Sequence, residues 1–302
     1  MRFAVILQSR PARLPAALIL PALLLGAWQI AATQQWLDGL YFPPPLKIWD
    51  ALWRPSTDHT LVKEGATTVA RAIKGWVIGG AIGAAVGLAL SRSQSVERAV
   101  APTLEFMRSF PAPVIVPVAL LFLGVGERME VTVVAFAALW PVLINTTVGA
   151  RSTEPLLIDA ARVFHMSRLR QASQILLPSA LPSILVGLRI SLAVSLVVAV
   201  VAEMLGSGAG LGNLIIEASS RFQIPNVYAI VVVLGVIGVA VNAAVQYSEN
   251  WLTRWQRADH ESVLRSVSKR QTVINHARVT PAIEPNGDAV EPLPRGESRR
   301  SR

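Results

Sequence analysis

Few residues of this chain have both the type and the spacing for covalent chemistry. The sequence contains no Cys, which excludes disulfides, thiolate metal sites and a Cys nucleophile. It holds no G-x-x-x-x-G-K-[ST] segment, so this chain is not expected to bind ATP. No His, Asp and Glu cluster has metal-ligand spacing, and the Ser residues lack a nearby His and acid in a recognisable pattern. No catalytic residue, metal or cofactor is therefore expected. What stands out is charge in apolar surroundings. Arg189 and Glu203 lie near the two ends of one apolar run, and charges inside such runs are functional candidates by default. Arg189 is one turn in and can snorkel outwards. Glu203 precedes Gly206, Gly208, Gly210 and Gly212, and either gates an opening or caps that loop. Asn145, Ser191 and Ser195 either line a pathway or hydrogen-bond helix to helix.

Those groups need elements to hold them, and composition says which. Of 302 residues, 52% are hydrophobic and only 16% charged, against about a quarter charged in soluble domains. Mean hydropathy is +0.48. Aromatic residues make up 6%, so the hydrophobicity comes from Ala, Val, Leu and Ile, as in long apolar helices. A hydrocarbon core of about 30 Å needs about 20 apolar residues in a helix, because every backbone N–H and C=O must be paired internally. Six windows meet or approach that length: 14–35, 75–91, 109–126, 131–150, 183–205 and 222–248. The first resembles a signal peptide in following Arg2, Arg10 and Arg13. It is too long for a typical h-region and contains Pro15 and Pro21, so a retained span is expected.

The net charge of +9 could point to nucleic acid, but the cations form no stripe; they sit between the apolar runs and in the tail. Loop cations also set orientation. With the N-terminus inside, the inner segments hold thirteen: Arg2, Arg10, Arg13, Arg92, Arg98, Arg108, Arg151, Arg162, Arg168, Arg170, Arg254, Arg257 and Arg265. The outer ones hold seven: Lys47, Arg54, Lys63, Arg71, Lys74, Arg128 and Arg221. Both termini are expected in the cytoplasm.

The predicted order is an inner N-terminus (1–13), a first span (14–35), an outer loop (36–66), a five-helix body (67–255) and a polar inner tail (256–302). Trp36, Trp49 and Trp53 in the outer loop suit a headgroup-level aromatic belt. The tail is polar and aperiodic and reads as disordered. Gly75, Gly79, Gly83 and Gly87 recur at four-residue spacing, which puts a close-approach face on the second span. The neighbour is either in the same chain or in a second copy. Pro111, Pro113 and Pro117 each remove a backbone donor and predict an irregular start to the third span.

The most informative segment is 151–182, RSTEPLLIDAARVFHMSRLRQASQILLPSALP. Residues 153–164 can form a short helix with Leu156, Leu157, Ala160, Ala161, Val163 and Phe164 as packing groups, and Asp159 and Arg162 can pair across a rim. The segment resembles the cytoplasmic loop of ABC-importer permeases: Glu-Ala-Ala, three residues, Gly, nine residues, Ile-x-Leu-Pro. Asp159, Ala160 and Ala161 fill the opening, and Ile175, Leu177 and Pro178 the end. The resemblance covers roughly 61–255 and is greatest to the nitrate, sulfonate and taurine branch. Asp159 replaces the family Glu, and His165 replaces the Gly that ends a short helix in the left-handed conformation. His is among the non-Gly residues enriched there, and one imidazole is not a metal site.

The resemblance implies an all-α membrane protein with six transmembrane helices and the type I ABC importer permease fold. It implies partners: two ATPase subunits docked on this loop, a second permease chain (a homodimer), a periplasmic solute-binding protein and the lipid bilayer, with no nucleic acid. The implied solute is a small anion such as nitrate, taurine or an alkanesulfonate, with pyrimidine precursors of thiamine as the alternative. A stand-alone secondary transporter is the competing class. It would call for an inverted repeat or an intramembrane acid relay, and neither is evident. A membrane-bound enzyme or sensor would need a catalytic set or an output domain, and the tail is too poor in hydrophobes to be one.

The expected topology is testable in this Cys-free chain. Single Cys placed at Ser56 or Ser219 should react with an impermeant thiol reagent in intact cells, and Cys at Ser173 should not; labelling at Ser173 would invert the arrangement.

Overall fold

In a computed structural model, the backbone is described for residues 13–53, 55–206 and 208–252. Most of the expected N-terminal segment and the whole of the 256–302 tail lie outside the described residues. The chain divides into two units, 1–250 and 251–302, and the helix bundle belongs to the first. Every regular element among the described residues is helical. The helices are α1 (Arg13–Thr33), α2 (Pro45–Leu52), α3 (Pro55–Ser91), α4 (Gln94–Arg108), α5 (Ala112–Leu123), α6 (Glu127–Arg151), α7 (Pro155–Val163), α8 (Arg168–Gln171), α9 (Leu177–Gly206), α10 (Leu211–Ser220) and α11 (Ile224–Leu252). A π-helical turn, Ala172–Leu176, joins α8 to α9.

Four stretches among the described residues are long and apolar enough to cross a membrane: Thr60–Ser91, Glu127–Arg151, Arg168–Gly206 and Ile224–Ser248. The pair α4 and α5 makes a fifth if taken as one span, bent by 87°. The bend falls at Ser109–Pro111, where Pro111 is extended and Pro113 opens α5. The irregular region thus lies between two helices, and taken as one span the pair begins at Gln94, ahead of the expected window at Ser109. α1 occupies the first expected window; its apolar part with described side chains is Ile19–Thr33.

α3 departs most from expectation. It is 37 residues long, about 55 Å at 1.5 Å per residue, so the region expected to be outer loop up to residue 66 is largely helix. Pro55 at its start needs no amide partner there, and its polar residues are satisfied by neighbouring helices, which composition alone does not reveal.

α3, α6 and α9 pack most extensively on one another, with α5 against α6 and α9. The largest core cluster includes Ala72, Val116, Met129, Val133, Val134, Val198 and Ala202. Many large hydrophobic residues face outwards, Leu121 and Phe122 being 85% and 84% exposed. Hydrocarbon, not water, is the solvent that tolerates such a surface.

The glycine stripe of α3 lies against α6 of the same chain. A Cβ on Gly75 would sit 2.5 Å from Val134 Cβ; on Gly83, 2.6 Å from the Leu139 carbonyl oxygen; on Gly87, 2.8 Å from that of Leu143. On Gly79 it would strike the Ala135 carbonyl group. Three of the four obstacles are backbone, so relief requires the helices to part. Gly79→Ala should therefore destabilise the purified protein by roughly 1–3 kcal/mol, the usual cost of overpacking. Gly26→Ala, where nothing lies within 4 Å, is the control, and equal melting temperatures for the two variants would refute the account.

Candidate functional site

Two regions gather the polar groups, at opposite ends of the bundle. The first is the 151–182 segment. α6 ends at Arg151, and Thr153 turns the chain by donating its hydroxyl to the Ala150 carbonyl at 2.8 Å. Pro155 then opens α7. α7 ends in a Schellman turn: the amide of Met166 donates to the Ala161 carbonyl and that of His165 to the Arg162 carbonyl, both at 3.0 Å. His165 takes the left-handed conformation, φ +49°, so the turn forms in its usual geometry without glycine. Ser167 caps the next helix by accepting from the Arg170 amide.

The seating of α7 fixes which residues can meet a partner. Ala161 is only 2% exposed: it faces into this chain, with Ala160 half-buried beside it. Leu156, Val163 and Phe164 are 69%, 74% and 78% exposed, and Leu157 is also exposed. Asp159 and Arg162 pair at 3.0 Å on the outer rim. Ala161 thus seats the helix on this chain, and the outward face of α7 is made of the large apolar residues. Ile175 is half-buried in the π-helical turn, with Leu177 and Pro178 exposed just beyond it. Pro178 has no amide to offer the carbonyl four residues back, and its ring crowds that group. The widened turn, closed by the Leu177 amide on the Ala172 carbonyl, accommodates that clash.

The second region surrounds Glu203, itself 1% exposed. Its Oε2 accepts from the Thr68 hydroxyl at 2.8 Å and from the Gly212 amide at 3.0 Å. Arg71 on α3 reaches its Oε1 at 3.3 Å, Glu130 of α6 at 2.8 Å and the Ala209 carbonyl at 3.0 Å. Thr68 also accepts from the Leu211 amide at 2.9 Å, and Glu64 from the Gly210 amide at 2.5 Å. α3, α6 and α9 are thereby tied to the loop that opens α10. Gly210, at φ +100°, lies so close to the Glu203 carboxylate that no Cβ would fit. Glu203 thereby ties α9 to the glycine-rich loop, through the Gly212 amide and close contact with Gly210.

Sequence reasoning does not gather Arg71, Thr68, Glu130 and Glu64 into a cluster, and it counts Arg71 with the outer-loop cations. The available signal is Thr68 and Arg71 three apart, hence on one helix face. The other polar candidates are in packing positions. Ser191 accepts from the Trp76 indole N–H at 3.0 Å, joining α3 to α9; Ser195 donates back to the Ser191 carbonyl at 2.7 Å. Asn145 donates to the Pro141 carbonyl at 2.8 Å. Arg189 is exposed.

Known proteins resemble the chain over most of its length. It is 30% identical over 241 residues to the putative aliphatic sulfonates transport permease protein SsuC of Escherichia coli (strain K12), covering 80% of this chain and 92% of that one. It is 28% identical to the nitrate import permease protein NrtB of Leptolyngbya laminosa, over 74% of this chain and 82% of the relative. Among solved structures, inward-facing MetNI methionine ABC transporter is similar in fold, with TM-score 0.58 and 18% identity over 67% of this chain and 98% of that one. Residues 79–258 match the profile described as binding-protein-dependent transport system inner membrane component. With that match and the sulfonate-permease identity, the chain belongs to the family of inner-membrane permease components of binding-protein-dependent ABC importers.

Proposed function

We propose that this permease carries a small anionic solute of the alkanesulfonate, taurine or nitrate type, driven by a separate ATPase subunit that docks on α7. The exposed apolar face of α7 carries the coupling part of the reading. Leu156, Leu157, Val163 and Phe164 project from a helix whose other side is seated in the chain, and a face of that kind at the end of a membrane bundle calls for a protein groove. Asp159 and Arg162 set register at its rim. Two ATPase copies, a second copy of this chain and a periplasmic binding protein complete the assembly in this reading, with both termini cytoplasmic. The solute class is supported by similarity to sulfonate and nitrate permeases.

The coupling test uses side chains already in the open. Phe164→Asp, with Phe164 78% exposed, should leave folding and insertion intact. It should cut ATPase co-purification and uptake at least about tenfold, as loss of an interface anchor does. Ala161→Glu serves a different purpose: at 2% exposure it unseats α7 and should also lower stability. His165→Gly should be tolerated, since it relieves the left-handed conformation. Normal ATPase association and uptake in the Phe164 variant would dismiss α7 as the coupling element.

The solute is tested in vesicles holding the whole assembly with its binding protein. Taurine, an alkanesulfonate or nitrate should drive ATP-dependent uptake. Uptake confined to an uncharged aromatic solute such as a pyrimidine would replace the anion reading.

A further inference from the structure

Four arginines converge on one cavity behind α7. The cavity has a volume of about 720 Å³ and is lined by Arg92, Arg151, Arg162 and Arg168, with Ser93 and Gln171 between them. No Asp or Glu belongs to its lining. Arg151 pairs with Glu97, and Arg162 with Asp159. Arg92 and Arg168 have no carboxylate partner among the described residues. Two guanidinium groups thus face the cavity without a counter-charge.

The position of the cavity narrows the ligand. Arg92 follows the end of α3 at Ser91, and Arg151 is the end of α6. Both are ends of membrane-spanning stretches, so the rim stands where lipid phosphates stand. α4 begins beside it at Ser93, with Glu97 of its first turn already paired to Arg151. Scattered arginines at span ends need no ligand; here they share one concavity, with Ile158 and Ala161 also in its lining. Guanidinium groups match tetrahedral oxyanions through paired N–H donors, and the volume falls in the range of small-ligand sites.

We propose that this cavity binds a phosphate-type oxyanion, either the headgroup of an anionic phospholipid or a free anion, bridging α7 and α8 to the ends of α3 and α6. The ligand would hold the short helices to the bundle from behind, on the side opposite the exposed apolar face. The site stands whether or not that face docks an ATPase.

The experiment uses the full chain and two probes. In the lipid arm, protein from bilayers of phosphatidylcholine and phosphatidylglycerol is examined by native mass spectrometry for retained phosphatidylglycerol. In the free-anion arm, protein in phosphatidylcholine alone is titrated with inorganic phosphate and its melting temperature followed. Arg92→Gln with Arg168→Gln should weaken whichever probe binds by about thirtyfold, the effect of losing two surface cations. Arg108→Gln with Arg128→Gln, which removes the same charge elsewhere, should change neither. Loss of lipid retention alone assigns the ligand to the bilayer, and loss of the phosphate response alone assigns it to a free anion. Phenylglyoxal labelling of the wild-type protein covers poor folding of the variant: either probe should protect Arg92 and Arg168 but not Arg128. If neither probe binds, if both double variants behave alike, or if Arg92 and Arg168 gain no protection, the proposal is overturned.

Discussion

The close backbone approach of α3 and α6 depends on four glycines that place no side chain between the helices, and most of the remaining structure follows from it. With the helices this near, van der Waals packing replaces the hydrophobic driving force that lipid cannot supply. The contact runs from Gly75 against Val134 to Gly87 against Leu143 and Thr146, so both the direction and the register of the pair are fixed. α9 then fits against both, with Gly187 itself meeting the Pro141 carbonyl and Asn145. Register at the middle decides what meets at the ends. Arg71 comes opposite Glu130 at one end, and Ser91 lies near Arg151 at the other.

The Arg71 cluster is the electrostatic counterpart of that packing. Burying one guanidinium with two carboxylates is unfavourable unless the remaining lone pairs find donors. Here Thr68 and the Gly212 amide serve Glu203, and Gly210 serves Glu64. The amide donors come from the loop before α10 and the first residues of that helix, so the loop conformation and the buried cluster are mutually dependent. Loss of one partner would leave the others uncompensated in an apolar surround. The members of such a cluster therefore support one another, and each depends on the rest staying in place.

Much of this is legible in the sequence, and the exceptions have a common cause. The apolar windows locate the spans because hydrocarbon imposes length and composition on each helix separately. The four-residue glycine spacing announces tight packing, and the Asp159-to-Pro178 spacing announces the segment that α7 belongs to. What cannot be read is whatever depends on the partner across a gap. Arg71 looks like a loop cation because its counter-charges lie 59 and 132 positions further along the chain, at Glu130 and Glu203. α3 extends beyond its apolar window because Glu64, Thr68 and Arg71 are satisfied by α6, α9 and the loop. Ala161 looks like a docking residue because small size suits a contact, and only the seating of α7 shows that the contact is internal. The break at Ser109–Pro111 is legible from the prolines, but the helix α4 that precedes it and the 87° angle are not.

The two regions are joined by α6 and α9, the helices on either side of the 151–182 segment. α7 connects to the bundle by Arg151–Glu154 on one side and by the Schellman turn and α8 on the other. The first route enters α6, which carries Glu130; the second enters α9, which carries Glu203. Both are carboxylates held by Arg71 of α3. A displacement of α7 would therefore load two of the three helices that meet in the cluster while leaving the third to the glycine contact. The π-helical turn is the irregular point on the α9 route, its wide hydrogen bonding set by Pro178 just beyond it. On the α6 route the irregular point is Pro141, which removes one backbone donor within the helix. Both routes end on the same guanidinium, so the seat of α7 and the Arg71 cluster are linked through α6 and α9 alike.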